Sequence, residues 1–228
     1  MMTKALVVLT NHEHFDTLNK TTGLWLSEAV HFSQVMKDNG IEVDYVSPKG
    51  GYVPLDPGSI EGDNLDPISA DFYFDADFRN RALGASLAPK DITATDYDVI
   101  YFAGGHGTVW DFPNNAALGS IAKSIYDNGG VISAVCHGVA GLLSIEENGQ
   151  KFIQGKNVAG FTNEEEEING LTHDVPFLTE DELIAAGAHH TKSDPYTKHV
   201  VVDGRLVTGQ NPQSAAGVGQ AVIEILNK

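Results

Sequence analysis

The chain has 228 residues, 42% of them hydrophobic and 20% charged, with a formal net charge of −17, the composition of a globular protein long enough for one sizeable core. That charge repels phosphate backbones and sets nucleic acid aside as a partner, and the longest apolar runs, such as Ala5–Leu9, are far too short to span a bilayer. A lone cysteine cannot form an intramolecular disulfide, which agrees with a reducing compartment; the opening apolar stretch is also too short for a signal peptide, so the chain is read as cytoplasmic.

Strand and helix patterns alternate from end to end. Lys4–Thr10 reads as a buried strand, Thr21–Gly40 as a helix with a threonine to cap it and Gly40 to stop it, and Ile41–Ser47 as a second strand. Pro48–Pro67 is Pro- and Gly-rich and reads as a long loop, followed by a helix over Asp71–Leu83. Tyr97–Gly105 is a third strand running into glycines, Ala116–Asn128 a helix, and Gly130–Val135 the next strand. Gly138–Leu143 is expected to be helical, Lys156–Phe161 a strand and Leu178–Gly187 a helix with an acidic first turn. Lys198–Pro212 reads as a hairpin around Asp203-Gly204, and a last helix begins at Pro212 with Asn211 placed to cap it. Repeated β-α units imply a single α/β domain over residues 1–228, a mostly parallel sheet with helices on both faces.

In such sheets ligands bind beyond the carboxyl ends of the strands, which singles out Gly104-Gly105-His106, Cys136-His137 and the loop after "VAGF". Cys136 stands where an apolar strand must turn sharply. A following helix would aim N–H groups at the sulfur and lower its pKa, favouring the nucleophilic thiolate; equally, the residue reads as a small buried hydrophobe. His137 can serve as its base if a carboxylate orients it, and one glutamate of "NEEEE" turned inward is a candidate. Glu28 falls in the apolar stripe Leu24, Glu28, Phe32, Val35. There it is either a protonated acid beside the thiol or a helix-edge residue reaching water past Trp25. The backbone N–H of Gly105, with one at the elbow, is suited to a developing oxyanion. The histidines of "HEHF", His189-His190 and His106 lack the spacing of a metal motif, and no second cysteine exists, so no metal is expected.

Taken together, "SEAVHF", "AGGHGT", "GTVWDFP", "YDNGGVISAVCHG", "GKNVAGFTNEEEE" and "DGRLVTGQNPQSA" resemble the DJ-1/PfpI superfamily, and within it the chaperone-type branch that includes glutathione-independent glyoxalases. The similarity runs over essentially the whole chain. It implies a flavodoxin-like three-layer sandwich, usually a homodimer, and conversion of methylglyoxal and similar 2-oxoaldehydes to 2-hydroxy acids without cofactor or metal. It also implies Cys136 as nucleophile, His137 beside it, Glu166 as the acid of the triad, Glu28 in contact with the cysteine, and oxyanion or substrate contacts at Gly104, Gly105 and His106. The chain departs from the family pattern at Phe32 and Val139, where members often carry proline. Two rival readings stand beside this one. A redox sensor or holdase for unfolded proteins would use the lone thiol differently; a cysteine amidase would draw its base from a late H-x-E motif, which this chain lacks.

Overall fold

The computed structural model describes residues 3–228. Its centre is a six-stranded sheet built from β1 (Lys4–Val8), β2 (Glu42–Val46), β3 (Val99–Phe102), β4 (Val131–Val135), β5 (Val200–Asp203) and β6 (Leu206–Gly209), in the spatial order β2-β1-β3-β4-β6-β5. All pairings are parallel except the β5–β6 hairpin, which turns at Asp203-Gly204 with Gly204 at φ +61°. The central strands are apolar almost throughout because both of their faces are covered. Ala5, Val7, Val99, Tyr101, Val131 and Val135 face one core with α1 (Leu26–Asp38), while Leu6, Val8, Ile100, Phe102, Ile132 and Ala134 face another, against Ala116–Asp127 and the Cys136–Ser144 turn. The C-terminal helix, Ala215–Leu226, packs alongside α1 on the first face. Gly219 lets the two approach: a Cβ there would lie 3.0 Å from the Cβ of Val35.

Local chemistry redraws several expected boundaries. Helix α1 starts at Leu26 rather than Thr21, and Thr22 is not its cap; the Thr22 hydroxyl donates instead to Asp56, 3.0 Å away. The expected helix over 71–83 is broken. Pro67–Phe74 is helical, then Asp75 takes an extended conformation and its side chain accepts from the Phe78 N–H, starting a new turn that runs on as a π-type coil over Arg79–Gly84. Residues 138–143 belong to a 3₁₀ helix, Cys136–Ser144. Of the strand expected at 156–161, Asn157–Val158 alone pairs, and its partner is His189–His190 outside the main sheet. Asn211 caps no N–H: its Oδ1 accepts from the Ser214 hydroxyl, and its Nδ2 donates to Glu165 and the Thr197 carbonyl.

Helix α1 carries the acid that will matter, and it is clamped to the sheet. Phe32 lies flat on Tyr101 of β3, centroids 3.8 Å apart and planes within 3°, and the Tyr101 hydroxyl donates to the Glu28 carbonyl at 2.8 Å. Removing a fully buried ring costs about 3–5 kcal/mol, so Phe32→Ala is expected to lower the chemical-denaturation free energy by that amount. A loss of less than about 1 kcal/mol would show that this clamp is not structural.

Candidate active site

Parallel strands put the chain segments after β1, β3 and β4 at one edge of the sheet. There β4 ends in an elbow: Cys136 has φ +56°, a left-handed conformation that a non-glycine residue holds only when its surroundings impose it. The imposition is visible. The Cys136 carbonyl accepts from the Phe161 N–H at 3.3 Å, and Gly138 lies so close to the Phe102 and Ala103 carbonyls that any side chain would collide with them. After β3, Gly105 has φ +106° and a Cβ on it would strike the Gly23 carbonyl and the Trp25 nitrogen.

Glu28 is fully buried. Its Oε2 accepts from the Gly104 N–H at 2.8 Å, its Oε1 has no hydrogen-bond partner among the described residues, and its carboxyl group neighbours Cys136 across Gly104. Gly104 must be glycine here: a Cβ would overlap Oε2 and touch the Cys136 Cβ at 3.0 Å. The contact expected between Gly104 and substrate is thereby taken up, since its N–H is spent on Glu28. Burial pushes the Glu28 carboxyl up to about 8, against the smaller opposing pull of its bonds to Cys136 and Gly104. It is therefore protonated at neutral pH.

The expectation that the elbow lowers the thiol pKa is overturned. Cys136 is buried, and burial first, then any negative charge on Glu28, push its thiol well above the usual value; the His137 N–H on the sulfur pulls weakly the other way. Two buried acids this close titrate as a pair.

On the other side of the sulfur, His137 Nδ1 lies 3.4 Å from Sγ, and His137 Nε2 lies 2.7 Å from Glu166 Oε2. Burial and the neighbouring His106 hold His137 below the usual histidine value. Burial alone would raise Glu166, but His137 and the hydrogen bonds from both imidazoles hold its carboxyl far below the carboxylate range. An ionised carboxylate can only accept, so the His137 proton sits on Nε2 and its Nδ1 lone pair faces the thiol. His106, expected on a substrate oxygen, has its Nε2 on the other oxygen of Glu166 at 2.7 Å, with its ring centroid 4.1 Å from that of His137.

Of the four consecutive glutamates, Glu165 and Glu166 are buried and Glu164 and Glu167 are not. Sequence reasoning missed Glu165. It closes a capping box with Thr162 and also accepts from the Tyr196 N–H, Gln210 Nε2 and Asn211 Nδ2. The capping-box signature T-x-x-E at Thr162 was the signal available for it.

Among the described residues, His106, His137 and Glu166 offer donor atoms within 4.8 Å of one another, a set of the kind that holds a divalent metal. A metal would have to displace both Nε2 protons from the carboxylate. The other histidines lie apart: His12 stacks on Trp110 at 4.6 Å, and His190 borders Glu180. No helix among the described residues is long and apolar enough to cross a membrane.

Residues 21–225 match the DJ-1/PfpI family. Glyoxalase 3 of Candida albicans is 35% identical over 97% of this chain and 98% of its own, and the glutathione-independent glyoxalase HSP31 of Saccharomyces cerevisiae is 36% identical over 98% of each. Among solved structures, the Rapid Encystment Protein 24 KDa of Francisella tularensis superposes with a TM-score of 0.94 at 42% identity over 99% of both chains. Glyoxalase III of Candida albicans superposes with a TM-score of 0.89 at 33% identity over 98% of this chain and 97% of that one.

A carboxyl whose affinity for protons is raised from 4.5 to about 8 on folding stabilises the fold in acid. That contribution is lost as pH climbs through this window, because the folded state then holds a proton the unfolded state has released. Glu28→Gln removes the effect. Between pH 5 and 8 the unfolding free energy of wild type should fall relative to this variant by about 1.4 kcal/mol per pH unit; parallel curves would contradict the assignment.

Proposed function

Because this chain belongs to the DJ-1/PfpI family, we propose that it is a glutathione-independent glyoxalase, converting methylglyoxal and similar small 2-oxoaldehydes to 2-hydroxy acids, as the names of its relatives suggest. The observation that carries the proposal is the pairing of a neutral base and a neutral acid at one cysteine: His137 Nδ1 lies 3.4 Å from the sulfur, and the buried carboxyl of Glu28 neighbours the same residue. Two groups whose surroundings push their proton affinities apart are suited to act as base and acid at the same pH.

The steps balance with these groups alone. Cys136 Sγ bonds to the aldehyde carbon as its proton passes to His137 Nδ1 and then to the new oxyanion, giving a hemithioacetal. The oxyanion is held meanwhile by the N–H groups of Gly105 and the elbow. Neutral again, His137 removes the proton from the former aldehyde carbon while Glu28 gives its proton to the ketone oxygen, and an enediol forms. His137 then protonates the second carbon, and the first hydroxyl returns its proton to Glu28, leaving a thioester. Water, deprotonated by His137, attacks that thioester, and the leaving sulfur takes the proton back as lactate departs. In sum, methylglyoxal and one water become lactate, and the protein thiol occupies the place that free glutathione would otherwise take. Glu166 holds the imidazole in the tautomer each step needs and offsets the imidazolium charge.

The test is purified protein with methylglyoxal and no added thiol. Wild type is expected to release lactate, Cys136→Ala none, and Glu166→Gln to turn over about 10²–10⁴-fold more slowly, the usual worth of an oriented general base. Lactate formation by Cys136→Ala at the wild-type rate would sink the proposal. Protection of unfolding proteins that survives Cys136→Ala, with negligible turnover by wild type, would favour a holdase instead.

A further inference from the structure

His106, in "AGGHGT", takes no part in the reaction steps above, yet it is buried in the same site. Its ring sits among three others, with centroids 5.5 Å from Phe15, 4.1 Å from His137 and 6.1 Å from Phe161. The backbone on either side of it is equally restricted. Gly105 turns at φ +106°, where a side chain would strike Gly23 and Trp25, and a Cβ at Gly107 would lie 2.5 Å from the His12 carbonyl oxygen. The Thr108 hydroxyl closes the turn by donating to the Gly105 carbonyl at 2.8 Å. Enclosed in this way, the ring holds its Nε2 2.7 Å from Glu166 Oε1.

The contrast between two adjacent carboxylates shows what that contact does. Glu165 is fixed by main-chain and amide donors: the Thr162 and Tyr196 N–H groups, the Thr162 hydroxyl, and the side-chain amides of Gln210 and Asn211. Glu166 is equally buried, and among the described residues its carboxylate receives two imidazoles alone, His137 on Oε2 and His106 on Oε1. The last torsion of a glutamate is broad and weakly held, so a single N–H on one oxygen does not stop the group from turning. It would also leave the other oxygen of a buried carboxylate without a donor. Glu166 is ionised and can only accept, so both imidazoles present Nε2–H to it. The proton of His137 stays on Nε2, and the lone pair on Nδ1 beside the thiol, while the carboxylate keeps Oε2 in place.

We propose that His106 is a positioning residue of the site: its Nε2–H anchors the second oxygen of Glu166, and the carboxylate so anchored keeps the His137 proton on Nε2 and the Nδ1 lone pair on Cys136. His106 thus holds Glu166 in place of the substrate oxygen expected of it, because its Nε2 is already committed. Its effect on turnover rests on the glyoxalase reading, whereas its effect on the His137 tautomer does not.

Two substitutions remove the donor and one returns it. His106→Leu has no N–H, and His106→Phe keeps a ring against Phe15 and Phe161 without one; His106→Gln restores an N–H at a similar reach. Nitrogen NMR of histidine-labelled protein without substrate reads the tautomer, with His137 assigned by the signals that His137→Gln loses. Wild type and His106→Gln should show one protonated and one lone-pair ring nitrogen, well separated in shift. In His106→Leu and His106→Phe the two should converge as the tautomers exchange. In turnover of methylglyoxal without added thiol, both donor-free variants are expected to lose about 10–100-fold in kcat, the scale of a catalytic group misplaced by about 1 Å. Their KM should stay within about threefold of wild type, because the lost N–H touches no substrate, and His106→Gln should recover most of the kcat. His137 nitrogens as well separated in the donor-free variants as in wild type overturn the proposal. So does a KM that rises while kcat holds, the mark of a substrate contact. If wild type consumes no methylglyoxal, the glyoxalase reading fails, and the His137 tautomer in these variants decides the role of His106 by itself.

Discussion

A carboxylic acid sealed from water against a thiol is the constraint around which this molecule is arranged. Ionising Glu28 where it sits would leave a charge in an apolar interior with one backbone N–H to answer it, and the cheaper solution is to keep the proton. Much else follows from accommodating that group. Gly104 has no side chain because the carboxyl fills the space where one would be. Tyr101 and Phe32 fix the helix that carries the acid to the strand that leads to Gly104. The elbow at Cys136 accepts a left-handed backbone where the chain passes the acid, the Cys136 Cβ and the Glu28 carboxyl both bordering Gly104.

The two buried carboxylic acids of the site have opposite fates for reasons that can be read from their partners. Glu28 meets a neutral amide and a sulfur, and burial wins. Glu166 meets two imidazoles, one on each oxygen, and their electrostatic attraction, His137's first, wins together with their hydrogen bonds. One residue type is therefore protonated beside Cys136 and ionised behind His137, with no difference in chemistry except surroundings. The same contrast explains why the thiol needs help. Burial holds its proton, so in the proposed reaction ionisation is coupled to attack, with His137 taking the proton as the bond to carbon forms.

The architecture was legible because each central strand is an uninterrupted apolar run and each covering helix carries an apolar stripe, as β4 and α1 illustrate. Cys136, His137 and Glu28 were legible for a related reason: a polar residue at a strand end, or within an apolar stripe, must be explained. What stayed hidden depends on pairings distant in sequence. The break at Asp75 turns on a side chain capping Phe78, and Asn211 is drawn from its helix by Glu165. In the run of four glutamates the T-x-x-E spacing from Thr162 marks Glu165 as a capping residue, but nothing there says that Glu166 grips two histidines or that Glu165 also holds the Tyr196 N–H. The direction of the thiol shift was misjudged because a helix dipole can be inferred from a motif, whereas the depth of burial of the sulfur cannot.

The protonation state of Glu28 is the quantity on which the proposed chemistry turns, and difference infrared spectroscopy reads it directly. At pH 7, wild type minus Glu28→Gln should show the carbonyl stretch of a protonated carboxylic acid, and that band should fade as the pH is raised past about 8. If the difference spectrum at pH 7 shows carboxylate bands alone, Glu28 is ionised beside the sulfur, and no neutral acid faces His137 across the thiol.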